Sequence, residues 1–279
     1  MTITTIDHVV DSMGNNSSRI IIDKASIANT SVGNFFSLWR ATGQPGQGAI
    51  PTTAAVCTNS LVGSLQFTQQ TSPATSYLGL LECIAPNASV TIEIHDRLMH
   101  MGGLDGATLT AQAVDVDIDL NLGTSNLGAR IGDANYSDIQ WWLEWYVDTG
   151  ATASNATVNV RLNDGTDVNL TAVAVGATVR ASRMIPLNSL IPAANSGKYI
   201  MRVNTVQLSG NITTADSFGV TATRYRGALF MPIANARFTR TWSELGLPEI
   251  PNSSCLFPIV IANATSTGNI KGTGKIMHG

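Results

Sequence analysis

Ala88-Ser-Val-Thr-Ile-Glu-Ile-His-Asp-Arg-Leu98 alternates apolar and polar side chains, with Val90, Ile92 and Ile94 on one side and Ser89, Thr91, Glu93 and His95 on the other. A period of two belongs to a strand with one face buried and one face wet. Val114-Asp-Val-Asp-Ile-Asp-Leu120 repeats the device, with three aspartates pointing outward. The runs 157–162 and 168–173 flank Asn163-Asp164-Gly165, and that Asp-Gly pair supplies the positive φ a short hairpin turn requires.

Working outward, further strands are expected over 77–84, 139–146, 178–184, 199–208, 219–223, 228–233, 256–261 and 269–277. Gly, Asn and Ser clusters such as Ala194-Asn-Ser-Gly197 separate them. Short strands at this spacing predict a mainly β chain with an antiparallel β-sandwich or jelly-roll-like body. Helical signals are few. Val32, Phe35, Phe36 and Trp39 share a stripe that predicts a short helix over 31–40. A second is expected over 53–65, and a turn over 242–245 ahead of Pro248 and Pro251. Both helix candidates and the Gly/Pro/Gln-rich stretch 41–51 fall before the continuous strand pattern begins. The expected organisation is therefore an N-terminal arm with short helices, 1–75, and a β-sandwich body, 76–279.

Of the 279 residues only 13% are charged and 44% are hydrophobic. An ordinary domain carries about 25% charge, so hydroxyls and amides cover this surface instead. Disorder calls for fewer apolar residues and more net charge. A free-living enzyme keeps more charge for solubility. A protein packed against copies or a partner can dispense with it. The net charge is −3 and the sixteen Lys and Arg are scattered, which leaves no footprint for nucleic acid or an anionic membrane. No run reaches the roughly 18 apolar residues of a membrane helix. The first residues show no basic and then apolar leader, so cytoplasmic synthesis and unglycosylated Asn-x-Ser/Thr triplets are expected. Cys57, Cys83 and Cys255 lack metal or redox spacing and read as buried, reduced thiols.

Three groupings invite chemistry. Asp115, Asp117 and Asp119 would lie about 7 Å apart along one strand face. A straight strand is a poor calcium ligand set, and a solvated acidic face is the simpler reading. His95 and Asp96 point to opposite faces of a strand, so with His100 they do not converge as a metal or acid–base set. Trp141, Trp142, Trp145 and Tyr146 put aromatics on both faces, which favours burial over a glycan-stacking platform. No nucleophile elbow, Walker loop or dinucleotide fingerprint is present. Neither catalysis nor a cofactor or metal is expected.

Several stretches are similar to a family of tailed-bacteriophage virion structural proteins. They include Leu38-Trp39-Arg-Ala-Thr-Gly43-Gln-Pro45-Gly46, Tyr77-Leu78-Gly-Leu-Leu81 and Ile94-His-Asp96-Arg97-Leu98-Met-His100. Trp142-Leu-Glu-Trp145-Tyr146-Val-Asp-Thr-Gly150-Ala-Thr152, 174–184 and Leu245-Gly246-Leu247-Pro248 belong with them. So does Cys255-Leu-Phe-Pro-Ile-Val-Ile-Ala262-Asn263-Ala264-Thr265-Ser-Thr-Gly268. The resemblance implies a virion component associated with the head. No segment has the length for the spine helix of the phage shell subunit, which points to an accessory cement or decoration protein. It would bind the major capsid protein from outside as a homo-oligomer, a trimer by preference. Phe35, Phe36 and Trp39 are the candidate interface: they either grip a neighbour or close the arm onto its own body. The alternative is a tail or fibre protein that reads a host-surface glycan through the aromatic run.

Overall fold

The computed structural model describes residues 3–177, 179–212 and 218–279. The chain opens with α1 (Ile6–Asn15), β1 (Ser17–Lys24), β2 (Phe35–Ser37), β3 (Gly43–Gln44), β4 (Ala55–Val56), β5 (Ser76–Ile84) and β6 (Val90–Leu104). It continues through β7 (Gln112–Asp117), α2 (Leu127–Arg130), β8 (Ile139–Trp145), β9 (Asn155–Leu162), β10 (Asp167–Asn169), β11 (Val173–Ala174) and β12 (Arg183–Pro186). It closes with β13 (Ile200–Leu208), β14 (Phe218–Met231), β15 (Arg237–Thr241), α3 (Trp242–Leu245), β16 (Leu256–Ile261) and β17 (Ile270–His278). The fold is mainly β with antiparallel sheets, as the alternation predicts.

Two compact units divide the chain: Met1–Ala49 with Thr58–Asp96 and Tyr225–Gly279, and Ile50–Cys57 with Arg97–Arg224. In the first, five strands run in the order β15-β5-β17-β1-β3. β1 pairs β17 along its whole length, from Ser17 opposite Met277 to Lys24 opposite Ile270. β16 pairs β2 and also the first part of β6, from Leu256 opposite Asp96 to Ile261 opposite Thr91. Ile20, Ile22, Leu78, Leu81, Ile270 and Ile276 from β1, β5 and β17 meet Val90, Ile92, Ile94, Leu256 and Val260 in one core. α1 is capped by Thr5, whose hydroxyl accepts from the His8 amide at 3.2 Å. Ser12 on its buried side donates to the His278 carbonyl at 2.8 Å.

The second unit holds a sheet ordered β10-β9-β13-β7, while β8 pairs β12 and the first part of β14. Alternate residues of β9 (Ala156, Val158, Val160, Leu162) and of β8 (Trp141, Leu143, Trp145) enter a common core with Phe218, Val220 and Ala222. Trp145 and Phe218 stack with centroids 5.2 Å apart.

Several expectations change. The helix over 31–40 does not form, since Gly33 takes φ +74° and Phe35–Ser37 is strand β2 instead. The helix over 53–65 is replaced by β4 and turns. The turn over 242–245 is the short helix α3, closed by a capping box between Thr241 and Glu244. Strands expected at 219–223 and 228–233 are one continuous β14. β7 stops at Asp117 and a 3₁₀ turn, Asp119–Asn121, follows. Of the strand expected over 178–184, Thr178 lies outside the described residues, and β12 starts only at Arg183. A boundary at residue 75 does not coincide with the units, because 58–96 continues within the first of them.

Candidate interaction site

The most built feature of the surface is the outer edge of β1. On one side β1 is fully paired by β17. On the other, β3 pairs only Asp23 and Lys24. The Ala25 amide reaches the Thr42 carbonyl at 3.0 Å on the β3 side, and the Thr273 hydroxyl reaches the Ile20 carbonyl at 3.0 Å on the β17 side. Main-chain groups alternate along a strand. The N–H and C=O groups of Arg19 and Ile21 therefore point to the open side, with no strand opposite them among the described residues.

A groove of about 450 Å³ runs along this edge, lined by Arg19, Ile20 and Ile21, by Gln44, Pro45 and Gly46, and by Val62, Ser64, Leu65 and Gln66. It continues past Ser18, Arg19 and 66–68. The Thr68 amide donates to the Ser18 hydroxyl at 2.9 Å and closes that end. Arg19 is the one charged residue on the lining; its Nε donates to the Thr273 hydroxyl at 3.0 Å. Ser64, only 1% exposed, has a hydroxyl without a hydrogen-bond partner among the described residues. Ile21 and Val62 are 52% and 65% exposed.

Lys24 fixes the other end. Its buried ammonium donates to the carbonyls of Ala41, Pro45 and Gly46 at 2.9, 2.7 and 3.3 Å. Burial lowers its pKa from 10.5 to about 8. Charge-assisted bonds to three carbonyls offset part of that cost and pin the loop beside β3.

Of the residues expected to grip a neighbour, Trp39 lies against this loop, while Phe35 and Phe36 pair with β16. Phe36 and Trp39 are each 1% exposed, and Phe35 is half-buried. Trp39 donates from Nε1 to the Ala49 carbonyl at 2.8 Å and meets Phe257 edge-on at 6.0 Å. A Cβ at Gly48 would sit 2.0 Å from its ring, and one at Gly63 2.6 Å. Only glycine lets both segments close on the indole. Trp39 thus holds the wall of the groove from inside, and Phe36 and Trp39 are both buried. Nothing in the sequence marked the groove, because Ser17-Ser-Arg-Ile-Ile-Ile-Asp-Lys24 has no chemical alternation.

The reactive groupings are engaged elsewhere. In the first unit Asp96 pairs with Arg226 at 3.1 Å and accepts from the Cys255 amide at 2.8 Å, while His95 meets Glu93 at 2.9 Å. In the second, Arg97 donates to Glu144, to the Thr221 hydroxyl at 3.0 Å and to His100 Nδ1 at 2.9 Å, with every member of this cluster buried. Burial weighs most heavily against the Arg97 charge, yet the Glu144 carboxylate together with Tyr146 and Cys57 gives a net rise in the guanidinium pKa. The cluster is closed to solvent.

Asp115 and Asp117 both pair with Arg202, at 2.7 and 3.2 Å. Asp119 accepts from the Tyr136 hydroxyl, whose pKa burial and this bond push up to about 12. No group of three or more His, Cys, Asp or Glu among the described residues is placed to hold a metal ion. The three cysteines are buried, and burial pushes the Cys83 thiol up to about 12. Trp141, Trp142 and Trp145 lie inside the second unit, with the first two donating to the Ile200 carbonyl and the Thr223 hydroxyl at 2.8 Å each. These three tryptophans are not exposed for stacking on a glycan.

No protein-family model matches the chain, and no curated protein matches it. Among solved structures, a chain of the infectious bursal disease virus Gx strain is 12% identical at a TM-score of 0.17, covering 94% of this chain and 80% of the other. The infectious bursal disease virus VP2 subviral particle gives 11% identity and a TM-score of 0.15, covering 94% and 79%. TM-scores this low do not amount to a shared fold.

Proposed function

We propose that this chain is a structural virion protein of a tailed bacteriophage, a cement or decoration protein on the capsid exterior. Each unit is read as a β-sandwich. The protein is made in the bacterial cytoplasm and binds the major capsid protein as a homo-oligomer, a trimer. It acts by adhesion and not by catalysis. The observation that carries this reading is a surface with only 13% charged residues in the chain, combined with a strand edge left open beside a built groove. The sequence resemblance supplies the particle. Standard protein interfaces bury about 1,600 Å² in total, and several weak contacts repeated around a symmetry axis add through avidity.

The test is localisation. Cryo-EM of the virion is expected to show this chain on the outside of the head, and mild salt stripping to release it with a loss of head stability. Density on the tail, or turnover of a polysaccharide by the purified protein, overturns the reading.

A further inference from the structure

We propose that the open edge of β1 and the groove beside it dock the second unit of another copy of this chain, which lays an extended segment from outside its own sheets along the edge. The inference rests on the reading that the protein works by association, and it names the surface that does so.

Edge strands are liabilities that proteins usually blunt with bulges, charge or cover. β7, the outer strand of its own sheet, shows such a device: its register with β13 shifts, and Asp115 takes φ +51°. β10 is only three residues long. β1 pairs β17 over eight residues with no shift in register, and its open side carries no proline or acid between Ser17 and Ile22. An edge of this kind is a template for strand addition, in which main-chain bonds give affinity and flanking side chains give selectivity.

The groove matches that chemistry. Arg19 and Ile21 each present an outward N–H and C=O. Ser64 contributes a buried hydroxyl without a hydrogen-bond partner among the described residues, while Ile21 and Val62 provide apolar flanks. Arg19 is a cation on a lining that holds no acid. The complementary charge lies in the chain itself. The unit made of 50–57 and 97–224 has eleven Asp and Glu against eight Lys and Arg, whereas the other unit has eight of each. An acidic unit in a second copy is thus the charge partner of this edge. The resulting contact joins unlike surfaces, so it builds a ring or a chain rather than a two-fold dimer.

Two substitutions isolate the edge. Ile21→Pro removes only the N–H that points outward and leaves the ladder to β17 intact. Arg19→Glu reverses the charge on an exposed side chain. Sedimentation equilibrium of the wild-type chain is expected to show concentration-dependent self-association, and each variant to weaken it at least about tenfold. Circular dichroism and an unchanged melt confirm that the variants fold; Arg19→Glu, on the surface, serves should proline disturb the strand. Wild-type protein that stays monomeric, or folded variants that associate unchanged, overturn the proposal. Binding to assembled heads is measured in parallel. A monomer that still decorates heads through this edge assigns the groove to the shell subunit, which sinks the second-copy proposal and leaves the adhesive function standing.

Discussion

Lys24 is the residue at which the site and its physics meet. Its ammonium is surrounded by three carbonyls, with no carboxylate within bonding distance among the described residues. Burial sets its folded pKa near 8, below the ordinary 10.5. Between those values the unfolded chain still holds a proton that the folded chain has lost, so stability rises with pH across that window. Below pH 8 both states are charged and the burial penalty is carried in full. The melting temperature is expected to gain a Lys24-dependent increment from pH 8 to pH 10, measured by differential scanning calorimetry. Lys24→Met should flatten that increment, and an unchanged slope in the variant would show that the ammonium is not desolvated. None of this was legible in the sequence, where a lysine ending an isoleucine run reads as a strand end reaching water. Buried Arg226 shows the same limit. It falls between the strands expected over 219–223 and 228–233, yet β14 runs on through it, and its ion pair with Asp96 accommodates the buried charge.

Strands that alternate chemically or run apolar between turn residues were legible, and β1, whose burial alternates within a run of identical side chains, was not. The strand expected over 256–261 has the observed bounds of β16, and the one over 77–84 misses only Ser76 of β5. In β1, Ile20 and Ile22 are 2% and 1% exposed, while Ile21 between them is 52% exposed. Three identical side chains cannot announce which one faces out. The stripe Val32, Phe35, Phe36 and Trp39 failed for another reason. Phe36 lies opposite Val260 in the β2–β16 ladder, and a three-residue strand is too short to display its own period. Spacing alone therefore mimicked a helix. The consequence is testable at the loop that Trp39 anchors. An alanine Cβ at position 48 would start 2.0 Å from the indole, so Gly48→Ala must push the loop or the ring aside. A loss of about 1–3 kcal/mol is expected from overpacking. Urea denaturation reads it, together with the emission of the tryptophans; a silent substitution would mean the indole is not clamped by the loop.

At the scale of the molecule, the sequence suggested an arm and a body, while the structure interleaves its units along the chain. The chain passes between them at 49/50, 57/58, 96/97 and 224/225. Residues before 75 are not an appendage in this arrangement. Ile20, Ile22, Leu38, Leu65 and Phe67 sit in the core of the first unit, and β1 occupies the place in its sheet between β17 and β3. Composition hid this because glycine, proline and glutamine in 41–51 look like a linker, whereas here they form a loop packed on Trp39 and Lys24. Removing 1–75 would expose one edge of β17 and strip five large apolar side chains from a shared core. Each buried side chain of that size is worth about 1.5–3 kcal/mol, and whole domains have only about 5–15 kcal/mol of net stability. The truncated chain 76–279 is therefore expected to lose cooperative unfolding and to bind a hydrophobic dye. A truncated chain that melts in a sharp two-state transition would restore the boundary at 75 and make the first residues a true arm.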